Sequence, residues 1–314
     1  MTKKAGDEAV QVPTETAERR LANNPGVSRF LSLQTTIKIF FIAFIVFISG
    51  GCHLLPKKLQ TEDADVKVGV IVGPGGARTL SALGVLNAFE ENNIPVHHIV
   101  GMGWGAFLAG VYAKNQSIDE VQWSFYKLLK RGFFEASLLK HPLKPKSLDL
   151  MNQSLEENLN AKTQIQFSCP VMNKRGKKIW QTEKFLENSV RSCLAVPPFF
   201  KLDQSTGSLF SVRSAISYLK KKDIDIIIWI HALDTTPFFP REFSSAETVF
   251  LWNELADSFR LIPEESSVYK IAPSLGGFYL SDFSKMREII AKGKKEGVFF
   301  AEKLQNKFLR RSRQ

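Results

Sequence analysis

The sequence predicts an α/β domain built on a parallel sheet, and three observations carry that prediction. A β-rich apolar run, Val66-Lys67-Val68-Gly69-Val70-Ile71-Val72, passes without a break into the glycine turn Gly73-Pro74-Gly75-Gly76-Ala77-Arg78. Behind the turn come a helical pattern and a second strand, and a strand-turn-helix-strand unit calls for parallel pairing through a right-handed crossover. Farther along, Asp225-Ile226-Ile227-Ile228-Trp229-Ile230 shows no polar alternation, as expected of a strand buried on both faces of a parallel sheet.

Taken in order, Leu80, Leu83, Leu86 and Phe89 recur every three residues with Ala82 and Ala88 between them, which places one apolar face on a helix ending near Asn92-Asn93. Ile94-Pro95-Val96-His97-His98-Ile99-Val100 reads as the second strand. Gly101-Met102-Gly103-Trp104-Gly105-Ala106 follows at once, and then an apolar helix over Phe107 to Tyr112. A further strand is expected over Ile165 to Val171. The last clear helix runs from Phe283 to about Phe300, with Met286, Ile289, Ile290, Gly293 and Gly297 along one side. With 314 residues and 44% hydrophobic content the chain can bury one large core, and no internal repeat is visible.

The N-terminal region has a different character. Residues 39 to 48, Ile-Phe-Phe-Ile-Ala-Phe-Ile-Val-Phe-Ile, form an uncharged apolar run preceded by Lys38 and closed by Ser49-Gly50-Gly51-Cys52. Such a run is short beside the roughly 20 residues of a membrane span and suits the apolar region of an export signal, about 7–15 residues long. Small residues before a cysteine resemble a bacterial lipobox, in which Cys52 would become the lipidated first residue. Ser49 departs from that pattern, since a branched aliphatic residue usually stands there. The alternative is an uncleaved anchor over about Ile37 to Leu55. The expected organisation is a cytoplasmic extension and signal segment over 1–51, a polar tether over 52–65, the folded domain over 66–300 and a basic tail over 301–314. The expected location is a bacterial envelope, with the domain on the periplasmic or outer face.

Two glycine motifs carry the chemistry. A strand feeding Gly75-Gly76-Ala77-Arg78 at a helix start turns backbone N–H groups toward one point, an arrangement suited to an oxyanion or phosphate. The dinucleotide pattern fails because Arg78 stands where a glycine is needed and no acid ends the second strand, and a P-loop fails for want of a Gly-Lys-Ser/Thr ending. The second motif has the spacing of a nucleophile elbow, G-x-S-x-G, with Gly101 and Gly105 on its flanks. Gly103 occupies the nucleophile position.

Together these segments resemble the bacterial patatin-like phospholipases, from Lys67 to about Gly297. The resemblance rests on the oxyanion-loop motif, on the helix Leu83 to Glu91 and on the elbow segment Ile99 to Ala106. Weaker matches lie at Arg191 to Phe200, Ile271 to Gly277 and Ser281 to Ser284. It implies a three-layer α/β fold with a mostly parallel central sheet, and a lipid acyl hydrolase that works with a serine and an aspartate. The family's aspartate stands in an Asp-Gly-Gly or Asp-Gly-Ala motif, where this chain reads Gly207-Ser208-Leu209-Phe210-Ser211-Val212-Arg213. Both catalytic positions are changed. Asp203, the nearest carboxylate, precedes the expected place and reads as part of a surface turn. Trp104 is bulkier than the residue the family carries after its serine, and reads either as a plug in the acyl pocket or as a core indole. Ser81, Ser168 and Ser192 lie outside any elbow and read as surface or capping hydroxyls.

The net charge of +11 favours contact with anionic surfaces, and residues 1 to 51 account for only +2 of it. The basic tail, with Lys292, Lys294, Lys295, Lys303, Lys307, Arg310, Arg311 and Arg313, suits either headgroup contact or a solvated helix face. No nucleic-acid-binding pattern supports a nucleic-acid partner. Three cysteines and five scattered histidines make neither a disulfide framework nor a metal site, and no cofactor is expected. Cys169 and Cys193 lie among apolar residues and read as small buried side chains, able to pair in an oxidising compartment although the sequence does not bring them together. The functional expectation is a membrane-tethered, catalytically inactive patatin-like protein that binds a lipid or a protein partner. An active acyl hydrolase with a non-standard nucleophile and a structural component of an envelope complex stand as alternatives.

Overall fold

The structure is a computed structural model that describes residues 66–133, 145–160, 162–173, 175, 177–182, 184, 186–195, 206–207, 212–233 and 265–311. The signal segment, Cys52, the tether and Asp203 lie outside the described residues. Among the described residues seven strands form one sheet: β1 (Val68–Val72), β2 (His98–Gly101), β3 (Gln166–Met172), β4 (Lys178–Thr182), β5 (Thr206–Gly207), β6 (Ile226–Ile230) and β7 (Val268–Ile271). The order is β4-β3-β2-β1-β6-β7, with β5 pairing β3 beyond the end of β2. β1 pairs β2 and β6 in parallel, β2 pairs β3 and β6 pairs β7 in parallel, and β4 and β5 run antiparallel to β3.

Seven α-helices complete the described fold: α1 (Ser81–Glu91), α2 (Trp104–Asn115), α3 (Ile118–Lys130), α4 (Pro145–Leu159), α5 (Leu186–Leu194), α6 (Val212–Lys220) and α7 (Met286–Arg311). They cover both faces of the sheet. Side chains alternate along each strand, so Val68, Val70 and Val72 of β1 and Ile226, Ile228 and Ile230 of β6 join the large core with α1, α2, α3, α5 and α7. Ile71, Ile227 and Trp229 face the other way and pack with Val212, Ala215, Ile216 and Leu219 of α6. Layers of helix, sheet and helix follow, as the continuous apolar run of β6 implied.

Some boundaries differ from the sequence reading. The second strand was expected from Ile94, yet β2 begins at His98. Asn93 takes a left-handed turn (φ 53°), the Ile94 amide closes on Phe89 O and Pro95 has no amide to pair, so the chain reaches β1 only when His97 N–H bonds Val68 O. The last helix was expected to stop near Phe300 but continues to Arg311, because Ala301 and Leu304 are still buried in the large core. Residues 301 to 311 are therefore helix rather than a separate tail.

Helix α7 lies against α1 at backbone contact. A Cβ on Gly84 would meet Ile290 O and Lys294 N, and one on Gly293 would meet Ser81 O; at Gly297 it would come within 2.8 Å of Val85 Cα. The glycines on the apolar side of α7 are thus what lets the two helices approach. On the far side of α2, Cys169 of β3 and Cys193 of α5 form a disulfide, with Cα atoms 6.2 Å apart and both side chains fully buried.

Candidate functional site

The elbow is built by the junction of β2 and α2. Gly103 stands between them with φ 54° and ψ −129°, a conformation that L side chains rarely adopt and that a strained nucleophile turn requires. The Met102 amide is tied to Val72 O at 3.0 Å, while Gly105 and Ala106 amides bond Met102 O and Gly103 O at 2.9 Å. The flanking glycines are sterically fixed. A Cβ on Gly101 would collide with Ala106 Cα and stand 2.5 Å from Gly105 O, and one on Gly105 would stand 2.5 Å from Val72 O and 2.7 Å from Gly73 O. The turn that displays a nucleophile is present, and a residue without a side chain occupies its apex.

Trp104, the next residue, is buried among Phe107, Phe125, Phe133 and Phe283, with ring centroids 5.5–6.4 Å away. It is a core indole at the base of α2.

The glycine loop lies at the same end of the sheet. Gly76 has φ 55° and begins a 3-10 turn over Gly76–Leu80 that leads into α1. Its amides are partly engaged within the protein: Ala77 N–H donates to Leu280 O at 2.7 Å and Arg78 N–H to Gly75 O at 3.0 Å. A Cβ on Gly76 would fall on Leu280 O. The Arg78 side chain is buried, and its Nε donates to Phe278 O at 2.8 Å. The segment 278–280 is therefore stitched along the loop by the Ala77 amide and the Arg78 side chain, while the Arg78 amide closes the loop on Gly75 O, so both amides expected to face a ligand are engaged within the protein. The region 208–211 within the aspartate-equivalent stretch lies outside the described residues. Gly207, in β5, donates its amide to Ala195 O.

Sequence reasoning missed one arrangement with the connectivity of a catalytic triad. On the α6 side of the sheet, His98 Nε2 lies 2.9 Å from Ser168 Oγ, His98 Nδ1 lies 2.9 Å from Gln166 Oε1, and Ser168 Oγ meets Tyr218 OH at 3.0 Å. Ser168 has no exposed surface and His98 is 2% exposed, beneath Tyr218, whose ring stacks on Trp180 at 4.0 Å. A serine in mid-strand under two aromatic rings cannot meet a substrate, so this is a satisfied polar network in the core. Ser81 is buried against α7, and Ser192 lies on α5, away from any turn of elbow form.

A polar cleft of about 720 Å³, lined by Leu159, Gln164, Gln166, Lys184 and Glu187 among others, opens at the start of β3. The elbow lies at the C-terminal ends of the parallel strands, so this cleft, at the start of β3, belongs to their opposite end. Among the described residues the acid–phenol pair Glu90 and Tyr112 is shifted, and it lies in the last turns of α1 and α2, away from the elbow. Burial raises the Glu90 carboxyl, partly opposed by its hydrogen bond from Tyr112, and nearby Asp119 and Glu91 raise it further. Burial first, and then the Glu90 charge and hydrogen bond, push the Tyr112 hydroxyl above its ordinary range. Among the described residues no group of three or more His, Cys, Asp or Glu side chains is placed to hold a metal ion.

With this geometry in view, the similarity to known proteins is short in sequence. A stretch of 51 residues, 16% of this chain, is 47% identical to Lysophospholipase NTE1 of Candida glabrata, and a stretch of the same length is 47% identical to that of Saccharomyces cerevisiae. Over 69 residues, 22% of the chain, the identity to Lysophospholipase nte1 of Emericella nidulans is 43%. This stretch is similar to lysophospholipases. The chain spans only 3% to 4% of the length of these relatives. No family model matches the chain. Among solved structures, VipD from Legionella pneumophila aligns over 76% of this chain and 67% of its own, at 12% identity and a TM-score of 0.37. The type III effector protein ExoU aligns over 76% of this chain and 53% of its own, at 12% identity and a TM-score of 0.36.

Proposed function

We propose that this chain is a membrane-tethered patatin-like protein that binds a lipid or a protein partner and does not hydrolyse esters. One observation carries the reading: the elbow keeps the backbone path of a nucleophile turn while Gly103 supplies no hydroxyl. Losing an activated serine costs roughly 10⁶ in turnover in a serine hydrolase, and none of Ser81, Ser168 and Ser192 is placed to replace it. The stretch Gly207 to Arg213 contains no acid, so the general base of the family's pair is missing as well.

Tethering rests on the apolar run and the small residues before Cys52. The Cys169–Cys193 disulfide is consistent with a domain that folds in an oxidising compartment, which is where a lipoprotein signal would deliver it. Among the described residues no helix is long and apolar enough to cross a membrane.

The similarity to lysophospholipases favours one competing reading, an acyl hydrolase with a displaced nucleophile. A serine-reactive fluorophosphonate separates the two. The inactive reading expects no covalent adduct on the folded chain, and a stoichiometric adduct on any serine would overturn it. Metabolic labelling with a fatty acid, compared between the wild type and Cys52→Ala, tests the tether: label lost in the variant supports lipidation, and an unlabelled wild type removes it.

A further inference from the structure

Helix α3 presents a surface that the elbow does not explain. Its inner face is conventional, with Ile118, Val121, Phe125 and Leu128 buried in the large core. On the outer face Trp123 is 53% exposed and Tyr126 43% exposed, and the two rings stack at 5.5 Å with 20° between their planes. Lys127 Nζ lies 6.0 Å from the Trp123 ring centroid. Trp123, Tyr126, Lys127 and Lys130 are spaced i, i+3, i+4 and i+7, so they form one stripe along the helix. Arg131 follows at its end, paired with Glu157. The acids of α3, Asp119 and Glu120, sit in its first turn, leaving the later turns basic and aromatic.

Two large aromatic rings held in water beside lysines match the chemistry of a bilayer interface. Indole and phenol rings rest at headgroup depth, while lysine heads meet lipid phosphates. We infer that this stripe of α3 docks on an anionic lipid bilayer. The charge favours lipid as the occupant: the aromatic pair is flanked by cations in a chain whose net charge is +11. Position favours it as well. After α2 the chain doubles back, and Phe125 and Phe133 reach the Trp104 ring, 6.0 and 5.9 Å away. The stripe therefore lies at the elbow end of the domain, and docking there brings the elbow toward the membrane. The inference deepens the lipid-binding reading and rests on it for the choice of lipid; it does not depend on the missing nucleophile.

The test uses the full chain reconstituted in phosphatidylcholine vesicles with and without phosphatidylglycerol, the acyl chains carrying bromine to quench nearby tryptophan. In the anionic vesicles the wild type is expected to lose part of its emission, and Trp123→Phe is expected to abolish that loss. Lys127→Gln and Lys130→Gln should each weaken occupancy of the docked state about fivefold, as should raised salt. All three positions are exposed or half-exposed, and unchanged circular dichroism verifies folding. Equal quenching in wild type and Trp123→Phe would overturn the inference, as would quenching indifferent to lipid charge and salt. A chain that fails here but forms no fluorophosphonate adduct loses the docking face and keeps the inactive elbow. The opposite pair of results does the reverse.

Discussion

If the elbow is held as described, alanine should act with opposite sign at different glycines. Where an L residue can adopt the backbone conformation, Gly→Ala stabilises by about 0.4–1 kcal/mol, because the unfolded chain loses freedom. Gly103 has φ 54° and ψ −129°, and a side chain forced into so sparsely populated a region costs about 1–3 kcal/mol. The strain outweighs the entropic gain, so Gly103→Ala and Gly103→Ser should each lose about 1–2 kcal/mol, or roughly 2–8 °C of Tm for a domain of this size. At Gly101 and Gly105 the obstruction is backbone at 2.5 Å, which cannot rotate away. Overpacking of that kind costs about 2–3 kcal/mol, more than the helix propensity Gly105→Ala gains. A Cβ on Gly277 would meet nothing within 4 Å, so Gly277→Ala is expected to be neutral or stabilising. Urea unfolding of the four alanine variants gives the order directly. A Gly103→Ala protein as stable as the wild type would refute the turn geometry, and so would a Gly101→Ala protein less perturbed than Gly103→Ala.

Other consequences follow from the core. Gly84→Ala and Gly293→Ala should each cost about 3 kcal/mol or more in denaturant unfolding, since α1 and α7 must separate to admit a methyl that would otherwise fall on backbone oxygen, whereas Gly297→Ala should cost clearly less. Reducing the Cys169–Cys193 bridge, 24 residues apart in sequence, should lower stability by about 3–4 kcal/mol, read as a lower Tm with a reductant than without. Because burial raises the Glu90 carboxyl in the folded state, its contribution is fully present below the unfolded value near 4.5 and is lost as pH rises through the folded value. Glu90→Gln should therefore raise Tm at pH 7 and leave it unchanged near pH 3.5; a larger gain at the acidic end would contradict the sign.

The path from β1 through the glycine loop to α2 was legible because its signals are local. Glycines mark the turns, apolar residues recur at helical spacing, and β1 and β6 lack polar alternation. Helices α3 and α6 carried a readable signal too. Ile118, Val121, Phe125 and Leu128, and Val212, Ala215, Ile216 and Leu219, fall on single helical faces, and the exposed Trp123 and Tyr126 break the pattern on α3. Strand β4 lies at the sheet edge with mixed polar and apolar residues, so it lacks a burial period. Contacts between distant residues were beyond local reading. His98 meets Ser168 because β2 and β3 pair in one register, and Cys193 reaches Cys169 because α5 packs across β3. The partial use of the glycine-loop amides was hidden for the same reason, since Leu280 lies some two hundred residues along the chain. In the elbow the sequence carried both the turn and the glycine at its apex, because the conformation is set by the glycines themselves.

We propose that this chain keeps a nucleophile turn without its nucleophile. Fatty-acid release from phospholipid vesicles and short-chain aryl esters by the purified, disulfide-intact chain tests it most directly. Turnover should be indistinguishable from that of protein heated past its unfolding transition, and Gly103→Ser should not restore it, because no acid occupies Gly207 to Arg213. Saturable hydrolysis by the wild-type chain that disappears on unfolding would show a working nucleophile and refute the inactive elbow.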